Sequence, residues 1–280
     1  MKLTRSIGET TCIIESIKNE GRTVGLVPTM GALHEGHLSL IHEAKKQKTY
    51  VVVSVFVNPT QFDDPADLES YPRNLERDLE MLERNHVDLV FAPTEKEMYP
   101  EPDQRTFNFS PLDKVMEGAF RPGHFNGVAQ VVSKLFEIIS PDKAFFGQKD
   151  FQQLTIIKKL VEIQNYKVRV IGCPIIREKD GLAMSSRNQL LTQKERKEAP
   201  YIHKVLIEAK SEAKNYSPPE IKKIVSERIT NHPLIDLEYF EIVDDKNLEP
   251  IYTWKDTINP VGCIAVKLGQ VRLIDNIYFA

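Results

Sequence analysis

The chain has 280 residues, 41% of them hydrophobic and 28% charged, enough for one large domain or for a large and a small one. A net charge of −3 argues against a general nucleic-acid binder, which would carry a strong basic excess. The cysteines Cys12, Cys173 and Cys263 lie far apart without a CxxC pair, and neither a signal core nor a long apolar run is present, so the reading is a soluble cytoplasmic enzyme without membrane contact.

In chain order, TVGLVP (23–28) and YVVVSVFV (50–57) are short β-branched runs of nearly unbroken apolar character, as expected of strands buried on both faces. Between them, Leu38, Ile41 and Ala44 fall at helical spacing, and lysines close the segment as they do at a helix C-terminus. NLERDLEMLERN (74–85) predicts an amphipathic helix on Leu75, Leu79 and Leu82, and DLVFAP a strand stopped by Pro93. A Pro-rich loop precedes a helix over 125–140, a strand over 143–147, a helix opening at DFQQL and a strand over 167–174. Strands alternating with helices imply βαβ units and a parallel sheet, whose ligand sits beyond the carboxyl ends of the strands.

From about residue 176 the pattern changes. Residues 185–214 read as charged and helical with a break at Pro200, NYSPPE as a linker or turn, and LEYFEIVD, GCIAVKLG and QVRLIDNIYF as alternating, exposed antiparallel strands. The expected division is 1–175 for the parallel unit and 176–280 for a smaller α+β unit.

The strand ends carry the chemistry. VPTMGALHEGHLSLI (27–41) joins a strand to a helix, where Gly31 would let backbone approach a ligand and free helix N–H groups favour an anion. His34 and His37, at i and i+3, could donate to phosphate, whereas zinc proteases need HExxH with histidines at i and i+4. Alone, the stretch is as easily an ordinary turn. GLAMSSRNQLL (181–191) offers two serines and an arginine to phosphate, although alone Ser185 or Ser186 would be a helix cap. FGQKDFQQL (146–154) puts Lys149 at a strand-to-helix turn. FVNPTQF (56–62) ends a strand with the neutral amides Asn58 and Gln61, and RPGHFNGV (121–128) offers Arg121 and His124 to an anion. Each is weak alone; together they are hard to assign to turns.

These five stretches, in this order and spacing, resemble the pantothenate synthetase (pantoate–β-alanine ligase) family over nearly the whole chain. The resemblance implies an α/β fold: a Rossmann-like doubly wound parallel sheet of the HIGH-motif nucleotidyltransferases, here written HEGH, with a smaller C-terminal α+β domain, in a homodimer. It implies ATP-dependent condensation of (R)-pantoate with β-alanine through pantoyl adenylate, releasing AMP and pyrophosphate, with Mg²⁺ accompanying ATP.

Carried over by position, the resemblance implies His37, His34 and Lys149 as catalytic. The nucleotide would be bound by Met30, Gly31, Ala32, Leu33, His34, Glu35, Gly36 and His37. Gly147, Gln148, Lys149 and Asp150 would join them, as would Ile176, Met184, Ser185, Ser186 and Arg187. Gln61, Gln153 and Asn58 would hold substrate, and Asp78 would neighbour the metal. Position 148, often acidic in relatives, is Gln148 here. Two rival readings are another nucleotidyltransferase of the same fold, whose phosphate-ester substrate would need extra basic residues in place of the amides, and a non-catalytic nucleotide-sensing module.

Overall fold

Val51, Val52 and Val53 are wholly excluded from solvent, as a strand covered on both faces must be. They belong to the parallel sheet of a computed structural model that describes residues 1–279. The first unit runs β1 (Lys2–Thr4), α1 (Ile7–Asn19), β2 (Val24–Thr29), α2 (Glu35–Lys46), β3 (Tyr50–Val55), α3 (Pro65–Ser70), α4 (Leu75–Arg84) and β4 (Leu89–Phe91). It continues through α5 (Glu95–Met98), α6 (Met116–Phe120), α7 (His124–Ile139), β5 (Lys143–Gly147), α8 (Phe151–Ile163) and β6 (Arg169–Cys173). All strand neighbours are parallel, in the order β1-β4-β3-β2-β5-β6. The chain winds outward from β2 through β3 to β4, then returns to lay β5 on the other side of β2. The order reverses between β2 and β5, which opens a crevice beyond their carboxyl ends.

The remaining residues form α9 (Gln193–Glu198), α10 (Tyr201–Glu212), α11 (Pro218–Thr230) and an antiparallel sheet of β7 (Ile235–Asp244), β8 (Pro260–Leu268) and β9 (Val271–Tyr278). One face of this sheet, with Phe240, Ile264 and Val266, packs on α10 and α11. The other face sends Val243, Val261 and Cys263 into the core of the first unit.

The structure corrects three sequence expectations. β8 is buried along almost its whole length, because it is the central strand and is covered on both faces, so it is not an exposed strand. NYSPPE begins as the expected turn at Asn215 and Tyr216, but its second half opens α11, where Ser217 and Glu220 form a reciprocal cap with Pro218 at the first helical position. β1 and α1 were not anticipated; a three-residue edge strand is too short for a periodic signal.

Helix α7 lies against the 3₁₀ turn Pro59–Gln61, and Gly127 allows the approach. A Cβ there would stand 2.1 Å from the Thr60 carbonyl oxygen. Gly127→Ala is therefore expected to destabilise the protein by about 1–3 kcal/mol, the usual cost of overpacking. An unchanged urea midpoint would show that this contact is not tight in solution.

Candidate active site

At the end of β2 the chain turns through Met30–Leu33 into α2, and side chains take up the backbone amides of this turn. His34 is the N-cap, its Nδ1 accepting from the Gly36 N–H at 3.1 Å, and His37 Nδ1 accepts from the His34 N–H at 3.3 Å. With Nδ1 accepting on both rings, each neutral imidazole carries its proton on Nε2 and can donate there. Gly36 is required sterically, since a Cβ would lie 2.8 Å from the His34 ring. The ring centroids are 4.1 Å apart. Burial, then the His34 and Lys149 charges, push His37 down to about 3; burial and Lys149 push His34 down to about 4. Both histidines are neutral donors at physiological pH.

The rest of the turn is held from behind. Asp78, on α4 and 1% exposed, accepts from Ala32 N–H at 2.9 Å and Leu33 N–H at 2.8 Å, one on each carboxylate oxygen. Thr29 Oγ1 takes the Gly31 N–H at 3.3 Å. These bonds show how the turn is built. Asp78 thereby braces the turn with both of its oxygens. Gly31 has a positive φ of 81° and lets Asp78 approach closely. Ala32 and Leu33 are buried and Glu35 is exposed. The helix N-terminus offers no row of free amides. Among the described residues no three His, Cys, Asp or Glu side chains converge as a metal set.

An inner pocket of about 210 Å³ opens here, lined by Met30, His34, Gly36 and His37 on one side and by Gly147, Lys149, Asp150, Ile176 and Met184–Arg187 on the other. It shares Met30, Gln61, Lys149 and Gln153 with an outer cleft of about 530 Å³ between the parallel unit and the C-terminal sheet. Of the nucleotide segment at β5, Gln148 alone is not brought to the pocket; its N–H pairs with the Cys173 carbonyl at 2.8 Å. Lys149 Nζ stands 3.2 Å from Asp150 Oδ1. Although burial alone would raise the Asp150 carboxyl, Lys149 holds it below its ordinary value.

Gln61, Gln153 and Asn58 all line the inner pocket. Asn58 is 1% exposed. Its Nδ2 donates to Gln61 Oε1 and to the Gly127 carbonyl, both at 3.1 Å, while its Oδ1 accepts from Tyr99 Oη at 2.8 Å and Thr60 Oγ1 at 3.2 Å. An amide has two donors and two acceptor sites, so nothing is left for a substrate. Asn58 instead fixes Gln61, whose Nε2 meets Met30 Sδ at 3.1 Å with one N–H and one Oε1 lone pair to spare. Gln153 makes no hydrogen bond to the described residues. Arg121 and His124, in the outer cleft, both reach the Gln61 carbonyl, at 3.4 and 2.7 Å.

Sequence reasoning missed several neighbours. The apolar floor of the inner pocket comes from Leu40, Phe56, Val128, Val131, Val132 and Leu135. The four α7 residues repeat at helical spacing and read only as core. Tyr71 Oη meets Ser186 Oγ at 3.2 Å, and Asp67 holds Arg187 at 2.9 Å, so the α3 region spans the cleft to the serine turn. No local signal marks either pair, which are separated by more than a hundred residues.

A doubly wound parallel sheet with a cleft at its switch point places the chain among Rossmann-like α/β proteins. Comparison with known proteins narrows this. The family model described as Pantoate-beta-alanine ligase matches residues 2–278. Proteins named pantothenate synthetase from Bacteroides thetaiotaomicron and Phocaeicola vulgatus are 50% and 52% identical, each over 100% of this chain and 99% of the relative. The crystal structure of pantothenate synthetase from Thermus thermophilus superposes with a TM-score of 0.94 at 40% identity, covering 100% of this chain and 99% of the other. A Francisella tularensis pantoate-beta-alanine ligase complexed with beta-gamma ATP and beta-alanine gives a TM-score of 0.84 at 35% identity, over 100% and 98%. The chain belongs to the pantoate–β-alanine ligase family.

The buried histidines make stability depend on pH. The folded values of His37 and His34 lie below the ordinary 6.5, so between about 6.5 and about 3 the unfolded chain binds protons that the folded chain excludes. Their contribution is full above 6.5 and is lost as pH falls through that window. The urea midpoint should drop between pH 7.5 and 5, and less steeply in a His34→Gln/His37→Gln variant. Equal slopes for the two proteins would mean that the rings are accessible to protons.

Proposed function

We propose that this protein joins (R)-pantoate to β-alanine at the expense of ATP, by way of pantoyl adenylate, with AMP and pyrophosphate as products. Family membership over residues 2–278 supports the reaction. The observation that carries the reading at the level of the site is the juxtaposition, in one cleft, of cationic and imidazole donors with a neutral, amide-lined pocket floored by aliphatic side chains. That inner pocket suits pantoate, a hydroxy acid with a gem-dimethyl carbon. The apolar floor accepts the methyls, and the spare donor and acceptor of Gln61, with the amide of Gln153, accept its hydroxyls and carboxylate.

A carboxylate is a poor acyl donor because its leaving group would be oxide. In the first step a pantoate carboxylate oxygen attacks the α-phosphorus of ATP and the bond to the bridging oxygen breaks, so pyrophosphate leaves. Negative charge gathers on the phosphoryl oxygens, and Lys149 with the Nε2–H groups of His34 and His37 is set to stabilise it. Ser185, Ser186 and Arg187 close the nucleotide side. Mg²⁺ accompanying ATP would be held mainly by phosphate oxygens and would offset their charge, while Asp78 keeps the adjacent turn in place. In the second step the amine of β-alanine attacks the acyl carbon and AMP leaves. Arg121, beside Gln61 in the outer cleft, is placed in this reading to receive the β-alanine carboxylate. The adenylate is sensitive to water, and the Tyr71–Ser186 and Asp67–Arg187 contacts across the cleft support its protection.

The junction between the units is proposed at 175/176, since the parallel sheet ends at Cys173. A cytoplasmic homodimer is proposed from the family resemblance; no helix among the described residues is long and apolar enough to cross a membrane.

With labelled pyrophosphate, ATP and pantoate but no β-alanine, label should enter ATP, because the first step is complete and reversible; omitting pantoate should abolish the exchange. ADP as the nucleotide product, or exchange that requires β-alanine, would sink this route.

Gln61→Ala should weaken pantoate binding by about 10-fold or more, the range for a lost neutral-to-charged hydrogen bond, and leave ATP affinity nearly unchanged. Equal losses for the two ligands in calorimetry would mean that Gln61 supports the whole cleft instead.

A further inference from the structure

The lysine loop between β5 and α8 is fastened from the other unit. Asn276, on β9 of the C-terminal sheet, is 3% exposed and lines the outer cleft. Its Nδ2 donates to the carbonyl of Gln148 at 2.8 Å and to that of Lys149 at 3.0 Å. Two carbonyls at these distances can be met only by an amino group, so the amide orientation is fixed and both donors are consumed. The carbonyl of Lys149 is part of the peptide unit that sets the direction of its side chain.

The preceding residue performs a parallel task. Asp275 takes the Arg177 guanidinium with both oxygens, at 2.6 and 3.0 Å, and its Oδ1 also accepts the Asn276 N–H at 2.8 Å. Arg177 heads the hairpin that pairs with Ala183 and returns to Met184–Arg187. Successive residues of a strand point to opposite faces. One dipeptide of β9 therefore reaches two separate segments of the nucleotide pocket.

We infer that Asn276 is a positioning residue for Lys149, holding the Gln148 and Lys149 carbonyls so that the ammonium enters the pocket at the developing phosphoryl charge. The C-terminal unit then contributes to adenylation through the lysine loop, without itself touching the nucleotide there. This rests on the role proposed above for Lys149. The Lys149 backbone has no other side-chain tether among the described residues; the loop is otherwise held by the Gln148 N–H on Cys173 and by Leu154 N–H on the Asp150 carbonyl.

The test is a double-mutant cycle of Asn276→Ala and Lys149→Ala, read on pantoate-dependent pyrophosphate exchange and on ATP affinity. Asn276→Ala should slow exchange by about 10- to 100-fold, the scale of a misplaced reacting group, with pantoate affinity unchanged and a native circular dichroism spectrum. In the Lys149→Ala background the same change should cost almost nothing more, because a residue acting through the lysine has nothing left to position. Asn276→Asp, which keeps the shape but sets oxygens against the two carbonyls, should lose at least as much as Asn276→Ala. Equal losses in both lysine backgrounds would overturn the inference, and so would failure of Asn276→Ala to fold, which would show that the bonds serve the fold. Wild-type protein without pantoate-dependent exchange would count against the proposed reaction; the cycle would then be read on ATP affinity alone, where additivity again overturns the positioning role.

Discussion

The turn between β2 and α2 must bury a run of backbone amides at the mouth of a cleft, and the way those amides are satisfied governs the site. Thr29 takes the Gly31 N–H, Asp78 takes those of Ala32 and Leu33, His37 takes that of His34, and His34 takes that of Gly36. A buried amide without a partner costs on the order of 1–3 kcal/mol, so five such bonds are a substantial commitment. The commitment also inverts the usual chemistry of a helix N-terminus. Where a phosphate loop presents bare amides to its ligand, this one has used nearly all of them. In the proposed reaction, anion recognition would pass to side chains: the imidazole Nε2–H groups, which the cap itself orients, and the cations across the cleft. Because Nδ1 of each ring accepts from backbone, tautomer and orientation are settled before any ligand arrives.

The same economy governs the acceptor end. Asn58 is saturated by Gln61, Gly127, Thr60 and Tyr99, so its contribution is to hold Gln61 in one of its two flipped states. Gly127 lets α7 close on the turn that carries Gln61, and α7 then supplies the aliphatic floor with Val128, Val131, Val132 and Leu135. Packing and polarity are set by one contact. A larger residue at 127 would separate the amide from the floor it works against.

Much of this was legible in the sequence, and the parts that were not share a cause. Unbroken apolar runs announced β2 and β3, and helical spacing announced α2, α4 and α7, because those signals are local. The histidine pair, Lys149 and the serine turn were legible as chemistry at strand ends, since doubly wound topology brings those ends together. The bracing role of Asp78 was not legible, since the aspartate drew notice only through the family resemblance. Only the fold reveals that its oxygens face the amides of residues 32 and 33. Strand β8 was misread because alternation in β7 and β9 suggested one exposed face, whereas the first unit covers it. Tyr71 with Ser186 and Asp67 with Arg187 depend on loop placement, for which neither periodicity nor spacing carries a signal.

What remains after all these internal bonds describes the ligand. A group with every valence used can only hold others in place, whereas one with valences left over must find them in solvent or substrate. Asn58 and Asp78 are of the first kind. Of the second kind are Gln153, with its whole amide free, Gln61, with one donor and one acceptor, and Nε2–H on each of His34 and His37. Ser54 Oγ, buried in the wall of the inner pocket without a partner, joins them. Near the histidines and Lys149 the open valences are donors, which suits phosphate oxygens. Around Gln61, Gln153 and Ser54 they are mixed donors and acceptors beside aliphatic carbon, as the proposed hydroxy acid requires. The division between the two ends lies at Met30, where the Gln61 amide meets a thioether rather than a charge. In the proposed reaction, a carboxylate across that boundary would keep its carbon skeleton beside the amides and turn one oxygen toward the donors, as attack on phosphorus requires.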